Sequence, residues 1–239
     1  HDMAITGKRA MSNCQSAQLI SLYQRALSAI SSKSQVMAEV SRARNLDPTS
    51  TSCSDFIREY AWVVFVSGFK VSTVRQKILA LERAFKNWDC QAISQQRATA
   101  RTEALQIINN SKKIDAVLKA VDFVNKQGWA AVKNALLSGI IRANTGVYPS
   151  QQFWDYVDNT YRSRDLAFMG TANRRYLAKN LGFDLAKNDR HLTRLAIQHG
   201  YSGDAAGVQK FVEDISRHVR ERVSVVETIL WNACEIGAI

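Results

Sequence analysis

The sequence predicts an all-α protein, and three observations carry that expectation. Apolar residues recur at helical spacing along most segments. The one β-branched run, Val63-Val64-Phe65-Val66, continues a helical-length segment that begins at Ser54. The connections are short and are punctuated by Gly, Pro, Asn and Asp. No fixed-period repeat and no low-complexity stretch interrupts this pattern.

The elements follow in order. Gln15 to Arg44 reads as one or two helices, closed by Asn45-Leu46-Asp47-Pro48. Thr49 to Ser54 is a polar linker, with Ser54 an N-cap for the next helix. That helix runs to Ser67, where Gly68 supplies a left-handed exit. Ser72 or Thr73 starts another, with Val74, Ile78, Leu81 and Phe85 on one face. Ile114, Val117, Leu118, Val121 and Val124 mark a second buried stripe. A helix over Trp129 to Arg142 is broken by Thr145-Gly146-Val147-Tyr148-Pro149. Later helices are expected over 151–161, 172–181, 190–199, 206–218 and 223–236, with Gly182 and Gly200 as C-terminal exits.

Composition bounds the function. The chain has 239 residues, 32 of them Lys or Arg and 21 Asp or Glu, giving a formal charge of +11. That length suits one large domain or two small lobes. With 46% apolar residues the composition is globular. No run of about 18 apolar residues exists, so no membrane span is expected. The first residues lack a basic-then-apolar leader pattern, which predicts a cytoplasmic, nucleoid-associated location, or a nuclear one in a eukaryote. His1-Asp2 ahead of Met3 is set apart from the fold reading. The basic excess points to a polyanionic partner, either nucleic acid or an anionic membrane surface, against the plainer reading of a solvated basic surface.

Cys14, Cys53, Cys90 and Cys234 are scattered and form no CxxC pair, so they read as buried thiols rather than zinc or cluster ligands. His191 and His199 are two helical turns apart, too far for an adjacent-turn metal pair. No metal and no cofactor are expected.

The informative stretch is Asp165 to Leu195. A short helical run is expected first, then Met169-Gly170-Thr171-Ala172-Asn173, then a helix. Backbone N–H groups at such a turn bind phosphate without reading base identity. Arg174, Arg175 and Lys179 follow and add charge. Most such corners are only packing corners. Next comes Asn188-Asp189-Arg190-His191-Leu192-Thr193-Arg194-Leu195. The plain reading of Asp189 is an N-cap. The same geometry favours an ionised carboxylate, able to stabilise a cationic transition state or to orient and deprotonate water.

Together these residues resemble the helix-hairpin-helix DNA glycosylase superfamily (HhH-GPD). Its hairpin reads roughly Leu-Pro-Gly-x-Gly, and here Phe168-Met169-Gly170-Thr171-Ala172 stands in that place, with Ala172 for the second glycine. Its catalytic motif is Asp-x-His-[Val/Ile/Leu]-x-Arg, which Asp189-Arg190-His191-Leu192-Thr193-Arg194 matches at each defining position. Val64 to Gly68, Ile108 to Ile114 and Glu227 to Asn232 are similar to other family segments, so the likeness covers about 54–239.

The resemblance implies a two-lobed helical fold with its cleft between the lobes. Residues 1–50 would be an N-terminal helical extension packed on the core. Residues 51–239 would be the glycosylase-like domain, its hairpin at about 165–182. It implies a monomer that binds double-stranded DNA, extrudes a damaged or modified base and hydrolyses the N-glycosidic bond. Asp189 would be catalytic, and Gly170, Thr171, Ala172, Asn173, Arg174, Arg175 and Lys179 would bind DNA.

The family's early glutamine is replaced by Phe69 or Lys70, and Phe69 is a wedge candidate against the plainer reading that it packs. Trp62 is a pocket-wall candidate, and Trp231 another for which core packing is expected. His191 is expected to brace the motif helix. Arg174 stands about where glycosylase-lyases carry a Schiff-base lysine, and a guanidinium is a poor nucleophile. The expectation is therefore a monofunctional enzyme of the branch without an iron–sulfur cluster, since Cys234 stands alone. Three alternatives stay open: an enzyme on the same scaffold acting on hypermodified phage-type bases, a non-catalytic DNA-binding module, and an all-α interaction protein.

Overall fold

A computed structural model of the chain describes residues 13–143 and 146–239. The leader reading and Thr145 of the helix-breaking stretch lie outside them. Thirteen α-helices and one two-stranded ribbon are present among the described residues. They are α1 (Asn13–Ile30), α2 (Ser34–Asn45), α3 (Cys53–Val66), α4 (Val71–Ala84), α5 (Cys90–Gln95), α6 (Arg97–Ile107), α7 (Ser111–Gln127), α8 (Trp129–Leu137), β1 (Ile141–Arg142), β2 (Val147–Tyr148), α9 (Gln151–Arg162), α10 (Thr171–Asn180), α11 (Arg190–Gln198), α12 (Ala205–Val219) and α13 (Val223–Glu235). The protein is thus mostly helical, as expected. No helix among the described residues is long and apolar enough to cross a membrane.

Two predicted helical stretches differ. The helix from Trp129 stops at Leu137, and Ile141–Arg142 pairs antiparallel with Val147–Tyr148 instead. Gly139 at φ +61° turns the chain, and the β-branched pair Ile140-Ile141 then favours extension. The run at Asp165 is a turn, not a helix. Thr160 O accepts from both Asp165 N and Leu166 N, and Arg164 and Phe168 take left-handed φ values of 61° and 64°. Gly68, Gly182 and Gly200 do hold positive φ at helix exits. Ser52, two residues ahead of the expected cap at Ser54, caps α3 in a reciprocal box with Asp55.

The apolar residues divide into two cores. One is built by α3 to α10 around Phe56, Tyr60, Phe65, Phe85, Phe153 and Phe183. The other gathers Leu19, Leu22, Ile30 and Val40 of α1 and α2 with Phe211, Ile215, Ile229 and Leu230 of α12 and α13. The N-terminal helices are therefore part of the second core.

The chain passes between the cores at two places, and the two passages touch. The first, residues 46–51, joins α2 to α3. The second, residues 181–189, leaves the first core at Leu185 and enters the other at Ala186. Gly182, at φ +104°, lies so close to the first passage that a Cβ would stand 2.9 Å from the backbone of Asp47 and Pro48. Arg222 ties both: it donates to Leu46 O (2.7 Å), Arg44 O (3.1 Å) and Gly182 O (3.0 Å). Asp184, fully buried, accepts at Oδ1 from Ser224 N (2.9 Å) and Ser224 Oγ (3.0 Å), so it caps the first turn of α13 from the second passage. Arg222 Nε stands 3.7 Å from the same oxygen.

Asp184→Ala strips a buried N–H of its acceptor and leaves Arg222 without its carboxylate. It is expected to lower unfolding free energy by about 2–4 kcal/mol in urea denaturation. A loss below about 0.5 kcal/mol would show that the passages are held by packing alone.

Candidate active site

A cavity of about 280 Å³ lies where the two cores meet. This is just under the usual size of small-molecule pockets, about 300–1,000 Å³. Its walls come from α2 (Gln35, Glu39, Arg42, Ala43), α3 (Arg58, Glu59, Trp62), α4 (Arg75, Ile78), α10 (Tyr176, Lys179, Asn180), α13 (Thr228, Trp231, Asn232) and Lys187 of the second passage. Three aromatic side chains therefore face one space. Trp62 Nε1 donates to the Tyr176 hydroxyl at 2.8 Å, which fixes both rings. Burial raises the Tyr176 phenol to about 12, so it stays neutral.

Every cation in this wall has an acidic partner. Arg42 and Arg58 meet the buried Glu59 at 2.5 and 3.1 Å. Arg75 meets Glu39 at 2.7 Å. Lys179 pairs with Glu227, which is fully buried. Lys187 pairs with Asp189 at 3.3 Å. Its ammonium also sits 4.0 Å from the Trp231 ring centroid and 4.3 Å from that of Tyr176. A cation between two aromatic faces is well placed, because the ring quadrupoles offset its lost hydration.

Asp189 is the N-cap of α11. Its Oδ1 accepts from His191 N and Leu192 N, both at 3.1 Å. Its Oδ2 faces Lys187. Asp189 does not itself line the cavity; Lys187 stands between them. His191 lies edge-on to Trp231, the ring centroids 6.3 Å apart, with its Nε2 3.4 Å from Glu235. Trp231 is buried, as expected, and is also part of the cavity wall.

The hairpin occupies a different edge. Gly170 is the N-cap of α10 at φ −63°, and a Cβ there would meet nothing within 4 Å. The left-handed residue of the turn is Phe168. Gly170 is therefore not required by the fold of this chain. Thr171 and Ala172 are exposed, and α10 has no side-chain cap for its first N–H groups.

Asn173 links this turn to the α3–α4 turn. It donates to Phe168 O (2.7 Å) and to Ser67 Oγ (3.3 Å). Phe69, 41% exposed, follows at that turn, and Lys70 beside it is exposed. Lys113 lies beneath, donating to the carbonyls of Val64, Phe65 and Ser67 at the end of α3, with its ammonium 4.5 Å from the Phe69 centroid. Burial lowers its pKa to about 8, so it remains charged at neutral pH. Phe69 and the hairpin thus share one edge, while neither Phe69 nor Lys70 reaches the cavity.

The basic residues after the hairpin turn toward the protein. Arg174 meets Asp158 at 3.1 Å. Arg175 donates to Ala186 O and to Gln209 Oε1, and burial lowers its pKa. Lys179 is held by Glu227. Of the candidates read from sequence, the cavity therefore gathers Trp62, Lys179 and Trp231, while Asp189 adjoins it through Lys187.

Sequence reasoning missed Lys187, Tyr176, Glu59, Glu227 and the whole α2 wall. The only local signal was spacing: Tyr176 and Lys179, and Glu227 and Trp231, lie one turn apart on their helices. Compared with protein-family models, with curated proteins and with solved structures, the chain matches none.

Removing Lys179 alone leaves the buried Glu227 without its cation. Lys179→Met is expected to cost about 3–5 kcal/mol in thermal or urea unfolding. Adding Glu227→Gln is expected to restore most of that loss. A single variant as stable as the parent protein would mean that the pair does not hold α10 to α13.

Proposed function

We propose that this protein is a monofunctional DNA glycosylase of the helix-hairpin-helix type, acting as a monomer on duplex DNA in the cytoplasm or nucleus. On this reading its two cores are the two lobes of that fold. The observation that carries the reading is the placement of Asp189. The residue that resembles the family's catalytic aspartate caps a helix just after the chain crosses between the cores, one ion pair away from an aromatic-walled cavity.

The chemistry follows from these groups. The duplex is bent and one nucleotide is extruded, its base entering between Trp62, Tyr176 and Trp231. As the N-glycosidic bond breaks, the bonding electrons leave with the base and positive charge develops on the sugar. The Asp189 carboxylate stabilises that charge and orients the water that adds to C1′, and the proton this water loses ends on the departed base. Oδ2 must then be released from Lys187, whose ammonium is free to move toward a phosphate or the departing base. The Gly170 turn offers backbone N–H groups to phosphate without base preference. Phe69, exposed on the same edge, fills the gap left in the stack.

One observation favours a second reading, a DNA-binding module without catalysis. Both Asp189 oxygens already have protein partners. Base-release profiling separates the two. Duplexes carrying alkylated, oxidised, deaminated or hypermodified bases are incubated with the protein, and freed bases are identified by mass spectrometry. The glycosylase reading expects release from at least one duplex. It also expects Asp189→Asn to slow release by about 100-fold or more, with duplex affinity retained. Binding without release from any duplex would establish the module instead. Release unchanged in Asp189→Asn would remove that residue from the mechanism.

A further inference from the structure

The cysteines, scattered in sequence, are not all scattered in space. Cys53 Sγ lies 2.7 Å from Cys90 Sγ, across 37 residues of chain. Neither is bonded to the other. Cys53 opens α3 directly after its N-cap, Ser52, and Cys90 opens α5 directly after its cap, Asp89. Cys53 is partly exposed while Cys90 is buried.

The corner that delivers Cys90 is firmly built. Lys86, Asn87 and Trp88 are three successive non-glycine residues with positive φ. Such a run persists only where the surroundings hold it. Here Trp88 is buried and stacked on Phe85 at 5.3 Å, and Lys86 is paired with Glu103 at 2.8 Å. Asn125 donates to Cys90 O at 3.2 Å.

We propose that Cys53 and Cys90 form an oxidisable dithiol, a covalent modification site at the α3–α5 corner that takes hydroperoxide-type oxidants and closes to an intramolecular disulfide. Cys53 is the attacking thiol. It is the more accessible of the two, and the α3 N-terminus favours its thiolate. The hydrogen bond from Cys90 also lowers the Cys53 pKa, whereas that bond and burial raise the pKa of Cys90. Cys53 takes one oxygen from the peroxide, giving a sulfenic acid and water. The Cys90 sulfur then displaces hydroxide from that sulfenic acid, and the Cys90 proton leaves with it as a second water. Two thiols are oxidised by two electrons and one peroxide is reduced. The sulfurs need close by only about 0.7 Å to reach bonding distance.

The site lies at the start of the helix that carries Arg58, Glu59 and Trp62, so oxidation fastens one cavity wall to the rest of its core. It is independent of any glycosylase activity.

The test is thiol titration and non-reducing peptide mapping of the full folded chain after dilute hydrogen peroxide. Titratable thiols are expected to fall from four to two, with a Cys53–Cys90 cross-linked peptide that dithiothreitol releases. The melting temperature of the oxidised protein is expected to rise by about 5–10 °C. In Cys90→Ser, a dimedone adduct is expected at Cys53. Four thiols retained under peroxide, a cross-link through Cys14 or Cys234 instead, or no adduct at Cys53 in Cys90→Ser would each overturn the proposal.

Discussion

The structure depends on one constraint: the chain must pass twice between two apolar cores, and it does so through passages stacked on each other. The backbone there cannot rely on regular helix bonding, so its polar groups need other partners. Arg222 meets one carbonyl of each passage, Leu46 O and Gly182 O, together with Arg44 O at the end of α2, and Asp184 supplies an acceptor for the first turn of α13. Gly182 allows the contact, because a side chain at that φ and that distance would strike the opposing backbone. The arginine and the aspartate are themselves 3.7 Å apart, so one charge pair serves both passages.

This arrangement also places the chemistry. Lys187 and Asp189 follow directly from the second passage, and α11 begins at the Asp189 cap. The cavity is walled from both sides of that boundary: α3, α4 and α10 on one, α2 and α13 on the other. Its cations are all paired, so its electrostatics depend on which pairs open. The chain's formal net charge of +11 is not gathered in the cavity, where each cation faces an acid. On the proposed reading, DNA meets the edge formed by Phe69, Lys70 and the exposed start of α10.

Local features of the sequence were legible because they act locally. An Asp before an apolar helix is a cap, and glycines past an apolar stripe are exits; Asp189, Gly68, Gly182 and Gly200 behave so. The hairpin glycine was less informative than it looked, since Phe168 and not Gly170 supplies the left-handed turn. What stayed hidden was long-range. Nothing near Lys187 in sequence reveals the Trp231 ring that faces it, 44 residues on. Nothing near Arg42 points to Glu59, and the α2 wall comes from a segment outside the family-like stretch. The Cys53–Cys90 contact spans 37 residues, a separation that no spacing rule covers.

The central claim is that an extruded base occupies the space between the cores with Asp189 at its sugar. The most direct measurement is a crystal structure of Asp189→Asn bound to a duplex carrying a base that the wild-type protein releases. The account predicts that base between Trp62, Tyr176 and Trp231, its C1′ facing residue 189, with the Gly170 turn on the flanking phosphates. A target base still stacked in the duplex, with the duplex bound on another face and the cavity empty, would contradict it.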